Sequence, residues 1–354
     1  LEPSESLVDM ALCFMPPKDL EPEALLTSAA SFTHPLLEPE AITLKPMPEP
    51  NLRDLTLGAD LLREKDRKRD KPLAESPSSL ERLMLSPFVW ILDRFHLKSR
   101  QWEPLKADPA VQGSVAHYVF ELHAKAQETE WSDDRFESYF EKAVAEKADF
   151  LNLPDWEFNR RQLRQQVRTA LQGFIAWCQQ TGWHLEQAEI QLQGTLWGVP
   201  VSGWADALLQ MDGNTLVLDY KKSKHTDHLK RLDEGYELQT YIYRHLYSQS
   251  HGSESVISGY FAMNDCHLVS DHPLAEAPGI RTKQPTKPLH EQSQNASDAI
   301  QKRLTDLRNG TVALNSANEA ENWKKLGVKP YALTDSNEAP LLKRFTHPDM
   351  ESPE

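Results

Sequence analysis

The segment GWADALLQMDGNTLVLDYKKSK, residues 203–224, contains two mainly apolar runs joined by a turn signal, DGN, at 212–214. Apolar runs on either side of such a turn predict an antiparallel β-hairpin. Asp206 on the first strand and Asp219 on the second lie at similar distances from the turn, so they are expected to face each other. Lys221 lies two residues beyond Asp219, so both side chains share one face of their strand.

Two carboxylates and an ammonium group on one sheet face form an unfavourable set that a divalent cation stabilises. Carboxylate oxygens are hard ligands, which favours Mg²⁺, with Mn²⁺ as a substitute. Such an ion polarises a phosphate and lowers the pKa of a bound water, so the pattern predicts phosphodiester hydrolysis. Lys221 would orient that water, help to deprotonate it or stabilise developing charge, and these roles stay open.

The alternative interpretation of this segment is a surface hairpin that carries an ordinary Asp–Lys pair. A D-x-K pattern by itself is common and weak. The apolar strand TLVLDYK, which leads directly into the charged pair, favours the catalytic interpretation.

The remaining periodicity of the chain indicates helices first and strands later. Apolar residues at helical spacing predict helices at about 110–127, 133–150, 157–180, 234–249 and 288–309. Shorter alternating or apolar runs predict strands at 185–193, 196–211, 215–220 and 255–262, with a further hairpin around 266–282. This order predicts an α/β fold with a mixed central sheet flanked by helices.

The two ends of the chain differ from the middle. Residues 1–75 hold ten of the 24 prolines and show little periodicity, which predicts a proline-rich extended arm or linker. Residues 313–354 are polar and rich in helix breakers, which predicts a C-terminal tail. The folded domain is expected at 76–312, and its first helix is expected to begin at a capping serine, Ser78 or Ser79.

The hairpin segment resembles motifs II and III of the RecB/AddB-like branch of the PD-(D/E)XK nuclease superfamily, which read G-x-x-D, a turn and an apolar strand ending in D-Y-K. The matching residues are Gly203, Asp206, Asp219, Tyr220 and Lys221. The resemblance extends over about residues 76–312 and implies a restriction-endonuclease-like core with a helical insertion at 133–181. It also implies a DNA nuclease, with the choice between exonuclease and endonuclease left open.

Three other segments match this branch in the same order. His117, in GSVAHYVFE at 113–121, corresponds to a histidine that contributes to the metal site. Glu189 resembles an accessory acidic residue on the first strand, and Gln239 and Tyr243 resemble a Q-x-x-x-Y helix beside the catalytic site. The plain alternatives are a core histidine, an outward carboxylate, and a polar residue with a tyrosine at the edge of the core.

The resemblance therefore implies two overlapping sets of site residues. The implied catalytic residues are Asp206, Asp219, Lys221, His117, Gln239 and Tyr243. The implied metal ligands are His117, Asp206, Asp219 and Tyr220. AddB-type domains also carry four iron–sulfur cysteines, but Ser86 replaces the first and no cysteine follows Cys266, so no iron–sulfur cluster is expected.

Basic residues follow the proposed site in KKSKHTDHLKR at 221–231. These residues are expected to neutralise phosphates that flank the scissile bond: Lys222, Lys224, His225, Lys230 and Arg231. The alternative is a solvated loop after a strand. Trp204 and Tyr236 are candidates for stacking on bases, although a tryptophan in a strand is more often part of the core.

Composition limits the partners of the chain. The formal net charge of −14 argues against a surface that coats DNA broadly and leaves room for local contacts only. No apolar run approaches the ~20 residues that a membrane helix needs, and the N-terminus lacks the pattern of a signal peptide. The three cysteines are far apart in the sequence, so a cytoplasmic protein without membrane contact is expected.

Nucleases of this branch work with a helicase or ATPase, and no GxxxxGK[ST] phosphate loop occurs in the chain. The expected partners are therefore DNA and a separate or fused helicase, in DNA repair, recombination or defence against foreign DNA. Two alternatives remain: a non-catalytic module of the same fold that binds DNA ends or a partner, and an RNA-directed nuclease.

Overall fold

The structure is a computed structural model that describes residues 55–56, 60–62, 73–94, 107–252, 255–287, 289–313 and Lys325. Most of the predicted arm at 1–75 and nearly all of the predicted tail at 313–354 lie outside the described residues. Three short parts of the arm are described, at 55–56, 60–62 and 73–75. The first is the strand β1, Leu55–Thr56, which pairs antiparallel with β8, Thr311–Val312.

The described chain forms eight helices, two short 3-10 turns and eight strands. The helices are α1 Pro77–Leu85, α2 Pro87–Arg94, α3 Pro109–Lys125, α4 Asp133–Lys147, α5 Glu157–Thr181, α6 His225–Glu234, α7 Gln239–His251 and α8 Leu289–Arg308. The other six strands are β2 His184–Leu196, β3 Val199–Met211, β4 Asn214–Lys221, β5 Val256–Ala262, β6 His267–Ser270 and β7 Arg281–Lys283. The 3-10 turns, Asp149–Asn152 and Pro154–Trp156, lie between α4 and α5.

These six strands form one sheet in the order β2-β3-β4-β5-β6-β7. The pairs β2–β3, β3–β4 and β5–β6 are antiparallel, whereas β4–β5 and β6–β7 are parallel, so the sheet is mixed. A parallel pair needs a crossover connection, and α6 and α7 supply it between β4 and β5. The prediction of an α/β fold with a mixed central sheet flanked by helices is confirmed.

Helices cover both faces of the sheet, and among the described residues they create two large hydrophobic cores. The first core joins α3, α4 and α5 to one face, on which Leu216, Leu218 and Tyr220 of β4 lie. The second core joins α1, α2, α7 and α8 to the other face, on which Val217 lies. Successive strand side chains alternate between faces, so Asp219 lies on the second face, with Val217. Its side chain is charged, yet the residue is only 4% exposed. Strand β4 therefore carries the Asp219 carboxylate into a layer that is nearly closed to water.

Helix α1 begins earlier than the serine that the sequence indicates. Its N-cap is Ser76, whose side chain accepts a hydrogen bond from Ser79 N, and Pro77 occupies the first helical position. Proline suits this position because its missing N–H would have no partner there. Neither Ser78 nor Ser79 is the cap, so that prediction was wrong by two or three residues.

The helix predicted at about 234–249 corresponds to α7, which begins five residues later, and the separate helix α6 before it was not predicted. Helix α6 ends at Gly235, whose φ of 77° is the left-handed conformation that glycine adopts readily, and α7 begins at Gln239. The first backbone N–H of α6, at His225, donates to the carboxylate of Asp265, which lies 40 residues away. A cap from so distant a residue leaves no local signal in the sequence.

The predicted hairpin around 266–282 was also wrong. Strand β6 pairs antiparallel with β5, and the turn between them spans 263–266. Strand β7 is parallel to β6, with His267 opposite Arg281, because the loop at 271–280 carries the chain back before β7 begins. Within the described residues, no helix is both long and apolar enough to cross a membrane.

Candidate active site

The ladder between β3 and β4 stops where the predicted carboxylates lie. It runs from the pair Met211↔Asn214 to the pair Ala207↔Leu218, so Asp206 and Asp219 come next on the two strands. There the backbone N–H of Tyr220 donates to Asp206 Oδ2 at 2.5 Å. A side-chain oxygen thus takes the place of a backbone acceptor, and the strands separate with the buried N–H still paired.

A second irregularity lies on the other side of Asp206. Pairing between β2 and β3 passes from Ala188↔Ala207 to Ile190↔Ala205 and skips the position of Glu189 and Asp206. Glu189 has a φ of 51°, in the left-handed region that is uncommon for residues other than glycine. Burial raises the pKa of the Glu189 carboxyl, and the charge of Asp206 raises it further. The sheet therefore brings this predicted accessory acid beside Asp206.

His117 approaches Asp206 from the first layer of helices. It lies on α3, and its Nδ1 is 3.2 Å from Asp206 Oδ1. Burial lowers the pKa of His117, but the hydrogen bond and charge of Asp206, together with the charge of Asp219, outweigh that effect and raise it overall. The alternative of a core histidine does not describe this residue, because its side chain is one-third exposed and contacts a carboxylate.

Gln239 joins Asp219 to Lys221 from the opposite layer. Its Nε2 donates to Asp219 Oδ1 at 2.7 Å, and its Oε1 accepts from Lys221 Nζ at 2.7 Å. Lys221 Nζ also lies 2.6 Å from Asp219 Oδ2. One amide side chain therefore holds the carboxylate and the ammonium group in a fixed relative position.

Tyr243 lies one helical turn after Gln239 on α7 and fixes this helix against β3. Its hydroxyl donates to Trp204 O at 2.6 Å and accepts from Gln239 Nε2 at 3.0 Å. A Cβ atom added to Gly203 would lie 2.7 Å from Tyr243 Cε1 and 3.1 Å from Pro77, so only glycine permits this approach. The glycine of the G-x-x-D pattern thus has a steric role.

The titration of the central pair follows from its burial. Burial raises the pKa of Asp219 to about 6, against the opposing effect of Lys221 and with the support of Asp206. Burial lowers the pKa of Lys221, but the adjacent Asp219 outweighs this and raises it overall. Lys221 therefore stays protonated at neutral pH in this arrangement, which fits orienting a water or stabilising negative charge better than removing a proton.

The donor set is suited to a divalent cation. Asp219 Oδ2 is buried and makes no aligned hydrogen bond among the described residues, although it pairs with the Lys221 ammonium group. The Asp206 carboxylate faces the same opening between the strands, and the charges of Asp206 and Asp219 raise the pKa of nearby groups. Buried carboxylates that repel one another are stabilised when they share a cation. The carboxylates of Asp206 and Asp219 thus offer the oxygen ligands that a hard divalent ion prefers, but among the described residues His117, Asp206 and Asp219 do not all place ligand atoms within 4.8 Å of one another.

Sequence reasoning missed Glu81. This residue lies on α1, and its Oε1 accepts hydrogen bonds from Leu238 N at 2.7 Å and Gln239 N at 3.1 Å. It therefore caps α7 in place of a residue at that helix's own start. Burial, followed by the charge of Glu237, raises the pKa of Glu81 to about 7. In the sequence it appears only as an acid within another helix, so no local signal identifies it.

A second missed group is a buried chain of hydrogen bonds beneath the site. Ser223 Oγ lies 2.6 Å from His228 Nε2, and His228 Nδ1 lies 2.8 Å from Glu237 Oε1. Both His228 and Glu237 are buried. These contacts tie the segment after β4 to α6 and to the loop before α7, so they help to position the end of β4.

The structure does not gather the five predicted basic residues into one patch. Lys222 is half-buried, donates to Gln166 at 2.7 Å and to Asn264, and has its pKa lowered to about 8 by burial. His225 contacts Asp265. The other three are exposed on α6 or just before it: Lys224, Lys230 and Arg231.

Comparison with known proteins identifies the family of this chain. The family model described as the PD-(D/E)XK nuclease superfamily matches residues 74–322, which is more than half of the chain. The chain belongs to the PD-(D/E)XK nuclease superfamily, whose members use divalent metals. No match was found among curated protein sequences.

One similar solved structure is a candidate exonuclease from Eubacterium rectale. It is 13% identical in sequence, with a TM-score of 0.45, and the similarity covers 69% of this chain and 85% of that one.

The raised pKa of Glu81 predicts a pH dependence of stability. Between pH 4.5 and about 7 the folded carboxyl keeps a proton that the unfolded chain releases, so stability is lost as pH rises through this window. Glu81→Gln keeps an oxygen that can cap α7 but does not titrate. We expect the Tm of this variant to fall less than that of wild type between pH 5 and 7.5. The difference in Tm is about 2–4 °C for each kcal/mol of unfolding free energy that wild type loses and the variant keeps.

Thermal denaturation at several pH values measures this difference. Asp219 contributes a slope of the same sign in both proteins and therefore cancels from the comparison. Glu157→Gln, at an exposed position on α5, is the matched control and should follow wild type. Parallel profiles of Tm against pH for wild type and Glu81→Gln would show that Glu81 does not have a raised pKa in the folded protein.

Proposed function

We propose that this chain is a Mg²⁺-dependent deoxyribonuclease of the RecB/AddB-like branch, with Asp206, Asp219 and Lys221 at its centre. The observation that carries the proposal is the opening between β3 and β4, where a buried Asp219–Lys221 pair lies beside the Asp206 carboxylate. We assign the nuclease domain to residues 76–312, with 133–181 as its helical insertion.

His117, Asp206, Asp219 and the carbonyl of Tyr220 are the proposed metal ligands. Carboxylate and carbonyl oxygens suit Mg²⁺ and Mn²⁺. When bound, such an ion supplies a Lewis acid for the phosphate and a bound water of lowered pKa. The hydrogen bond between Tyr220 N and Asp206 Oδ2 keeps one carboxylate oxygen fixed, so the other faces His117 in the opening.

Lys221 and Gln239 act together in the proposed mechanism. The Lys221 ammonium group is held by Asp219 and by the amide oxygen of Gln239, so it offers a preorganised positive charge to a phosphate or to an attacking water. Gln239 restrains both reacting groups because it contacts each of them. Tyr243 fixes the position of Gln239 through their shared hydrogen bond.

Trp204 is the proposed contact for a nucleic-acid base. Its side chain is 53% exposed, which is unusual for so large an apolar group, and it lies two residues before Asp206 on β3. An aromatic ring at the edge of an active site offers a stacking surface to bases of any identity. The exposed residues Lys224, Lys230 and Arg231, on α6 or just before it, are proposed to contact flanking phosphates, and the acidic net charge leaves room for such local contacts only.

We further propose a helicase or ATPase partner, held by the proline-rich arm at 1–75, in DNA repair, recombination or defence. The partner is supported by the family resemblance alone. We also propose a cytoplasmic location, which the wide spacing of the three cysteines supports. Co-purification from native cells tests the tether. A truncated chain that lacks residues 1–70 should lose the motor protein, and retention of every partner would exclude this role for the arm.

Replacement of Asp219 tests the nuclease. Asp219→Asn preserves volume but removes the charge, and we expect cleavage of linear single- and double-stranded DNA with Mg²⁺ or Mn²⁺ to fall about 100-fold or more. The reason is that a metal clamp is worth several kcal/mol, and each 1.36 kcal/mol is a factor of ten in rate. The measurement is kcat/KM on labelled DNA, with RNA as a parallel substrate.

Asp298→Asn, at an exposed position on α8, is the control for the substitution itself and should cleave as wild type does. Circular dichroism would establish that both variants are folded. If folded, metal-loaded wild type cut neither DNA nor RNA, even with a helicase partner supplied, the chain would be a non-catalytic binding module. Cleavage of RNA alone would make it an RNA-directed nuclease.

Trp204→Ala tests the base contact. In an Asp219→Asn background, which prevents degradation, we expect single-stranded DNA to bind about 5- to 150-fold more weakly because stacking is worth about 1–3 kcal/mol. Fluorescence anisotropy with a labelled oligonucleotide measures the affinity. Phe158→Ala removes another highly exposed aromatic side chain, on α5, and should leave binding unchanged. Equal losses in both variants would argue against a specific role for Trp204.

A further inference from the structure

A second group of metal-ligating side chains lies outside the candidate active site. His225 is the first residue of α6, and Asp265 and His267 flank Cys266 at the junction of β5 and β6. One possible ligand atom from each of the three residues lies within 4.8 Å of the other two. Among the described residues, this cluster is made of different elements from the centre at Asp206 and Asp219.

Both imidazole rings face one carboxylate. His225 Nδ1 is 2.7 Å from Asp265 Oδ2. His267 Nδ1 is 2.7 Å from the backbone carbonyl oxygen of Asp265 and 3.6 Å from Asp265 Oδ1, so Nε2 of this ring is the nitrogen left for an ion. The two rings stack with centroids 3.8 Å apart and an interplanar angle of 13°, so their edges point in similar directions. Ligand atoms about 2.0–2.2 Å from a tetrahedral ion lie about 3.3 Å from one another. The three side chains thus approach the spacing of a metal shell.

The backbone holds these side chains in place. The N–H of His225 donates to both oxygens of Asp265, at 3.2 and 3.3 Å, so the carboxylate is oriented before any ion binds. Cys266 has a φ of 52°, a conformation that is costly for a residue other than glycine and that directs its two neighbours toward His225. Side-chain exposures of 17%, 25% and 14% for His225, Asp265 and His267 leave limited access to water.

The surroundings leave a route for an ion and a coordinated water. An open cavity of about 480 Å³ adjoins the cluster, and Asp265, His267, Glu276 and Arg281 contribute to its lining. A site with three protein ligands and an accessible fourth position is the arrangement in which Zn²⁺ retains a water.

We propose that His225, Asp265 and His267 bind one transition-metal ion, Zn²⁺ or a borderline ion such as Co²⁺ or Ni²⁺. Two imidazole nitrogens and one carboxylate oxygen favour these ions, whereas Mg²⁺ favours oxygen ligands. The ion replaces the hydrogen bond between His225 and Asp265 and links the start of α6 to the junction of β5 and β6.

This link lies directly beyond the catalytic strand. Lys221 O accepts from Met263 N at 2.9 Å, and Ser223 O accepts from Asn264 N at 3.2 Å, so the same turn already borders the end of β4. An ion bound to the cluster stabilises this end of the sheet. Its binding does not depend on whether the chain cleaves nucleic acid.

Metal titration of the full chain tests the site. Chelator-stripped protein is titrated with Co²⁺ or with Zn²⁺. Visible absorption measures Co²⁺ binding, and equilibrium dialysis measures Zn²⁺ binding. Excess Mg²⁺ is present to occupy the centre at Asp206 and Asp219. We expect wild type and Asp219→Asn to bind one ion per chain and to gain Tm. His267→Gln and Asp265→Asn should bind it at least about 10- to 100-fold more weakly and gain little.

His184→Gln, at an exposed histidine that begins β2, is the matched control and should bind as wild type does. Circular dichroism and Tm without metal establish that each variant is folded. If His267→Gln were to misfold, Asp265→Asn would carry the comparison, because it keeps the size of the side chain. Binding that is lost in Asp219→Asn and kept in His267→Gln or Asp265→Asn would assign the ion to the nuclease centre. Absence of any Co²⁺ or Zn²⁺ binding by wild type would also overturn the proposal.

Discussion

Asp206 Oδ2 accepts the backbone N–H of Tyr220, at the point where β3 would otherwise continue its ladder with β4. A buried N–H without an acceptor costs about 1–3 kcal/mol, so the strands separate only because this carboxylate replaces the lost backbone partner. The same contact aligns one carboxylate oxygen and leaves the other beside His117. A single hydrogen bond thus both lets the two strands separate and positions a candidate metal ligand.

The two layers of helices meet at this opening from opposite faces of the sheet. His117 reaches Asp206 from α3, whereas Gln239 reaches Asp219 and Lys221 from α7. Helix α7 is itself positioned by the Glu81 carboxylate at its first turn and by the close approach that Gly203 permits. The site therefore depends on the packing of both cores, and a change far from the carboxylates can displace it.

Burial of Asp219 and Glu81 opposes the stability of the fold. Burial raises the pKa of both Asp219 and Glu81, which means that the folded protein holds carboxyl groups where their charged forms are unfavourable. Active sites commonly retain such arrangements, and the rest of the fold compensates for them. Here an aromatic-rich core on one face of the sheet and a mainly aliphatic core on the other supply the compensating apolar burial.

The sequence by itself determined the hairpin at 203–224, the α/β layout and the candidate centre, because these depend on local alternation, a turn signal and short spacings. Asp206, Asp219 and Lys221 could be chosen since a two-residue strand period and a tight turn relate them directly. Long periodic helices such as α3 and α5 were predicted nearly to their observed ends for the same reason.

Only the tertiary structure decided the features that join distant segments. Glu81 caps α7 from a separate helix, and Asp265 caps α6 from a turn 40 residues later, so neither role leaves a mark within a local window. The parallel pairing of β6 and β7 likewise depended on the path of a connecting loop. Hydrogen bonds and side-chain contacts form between groups that are near in space, whereas sequence patterns record only neighbours along the chain.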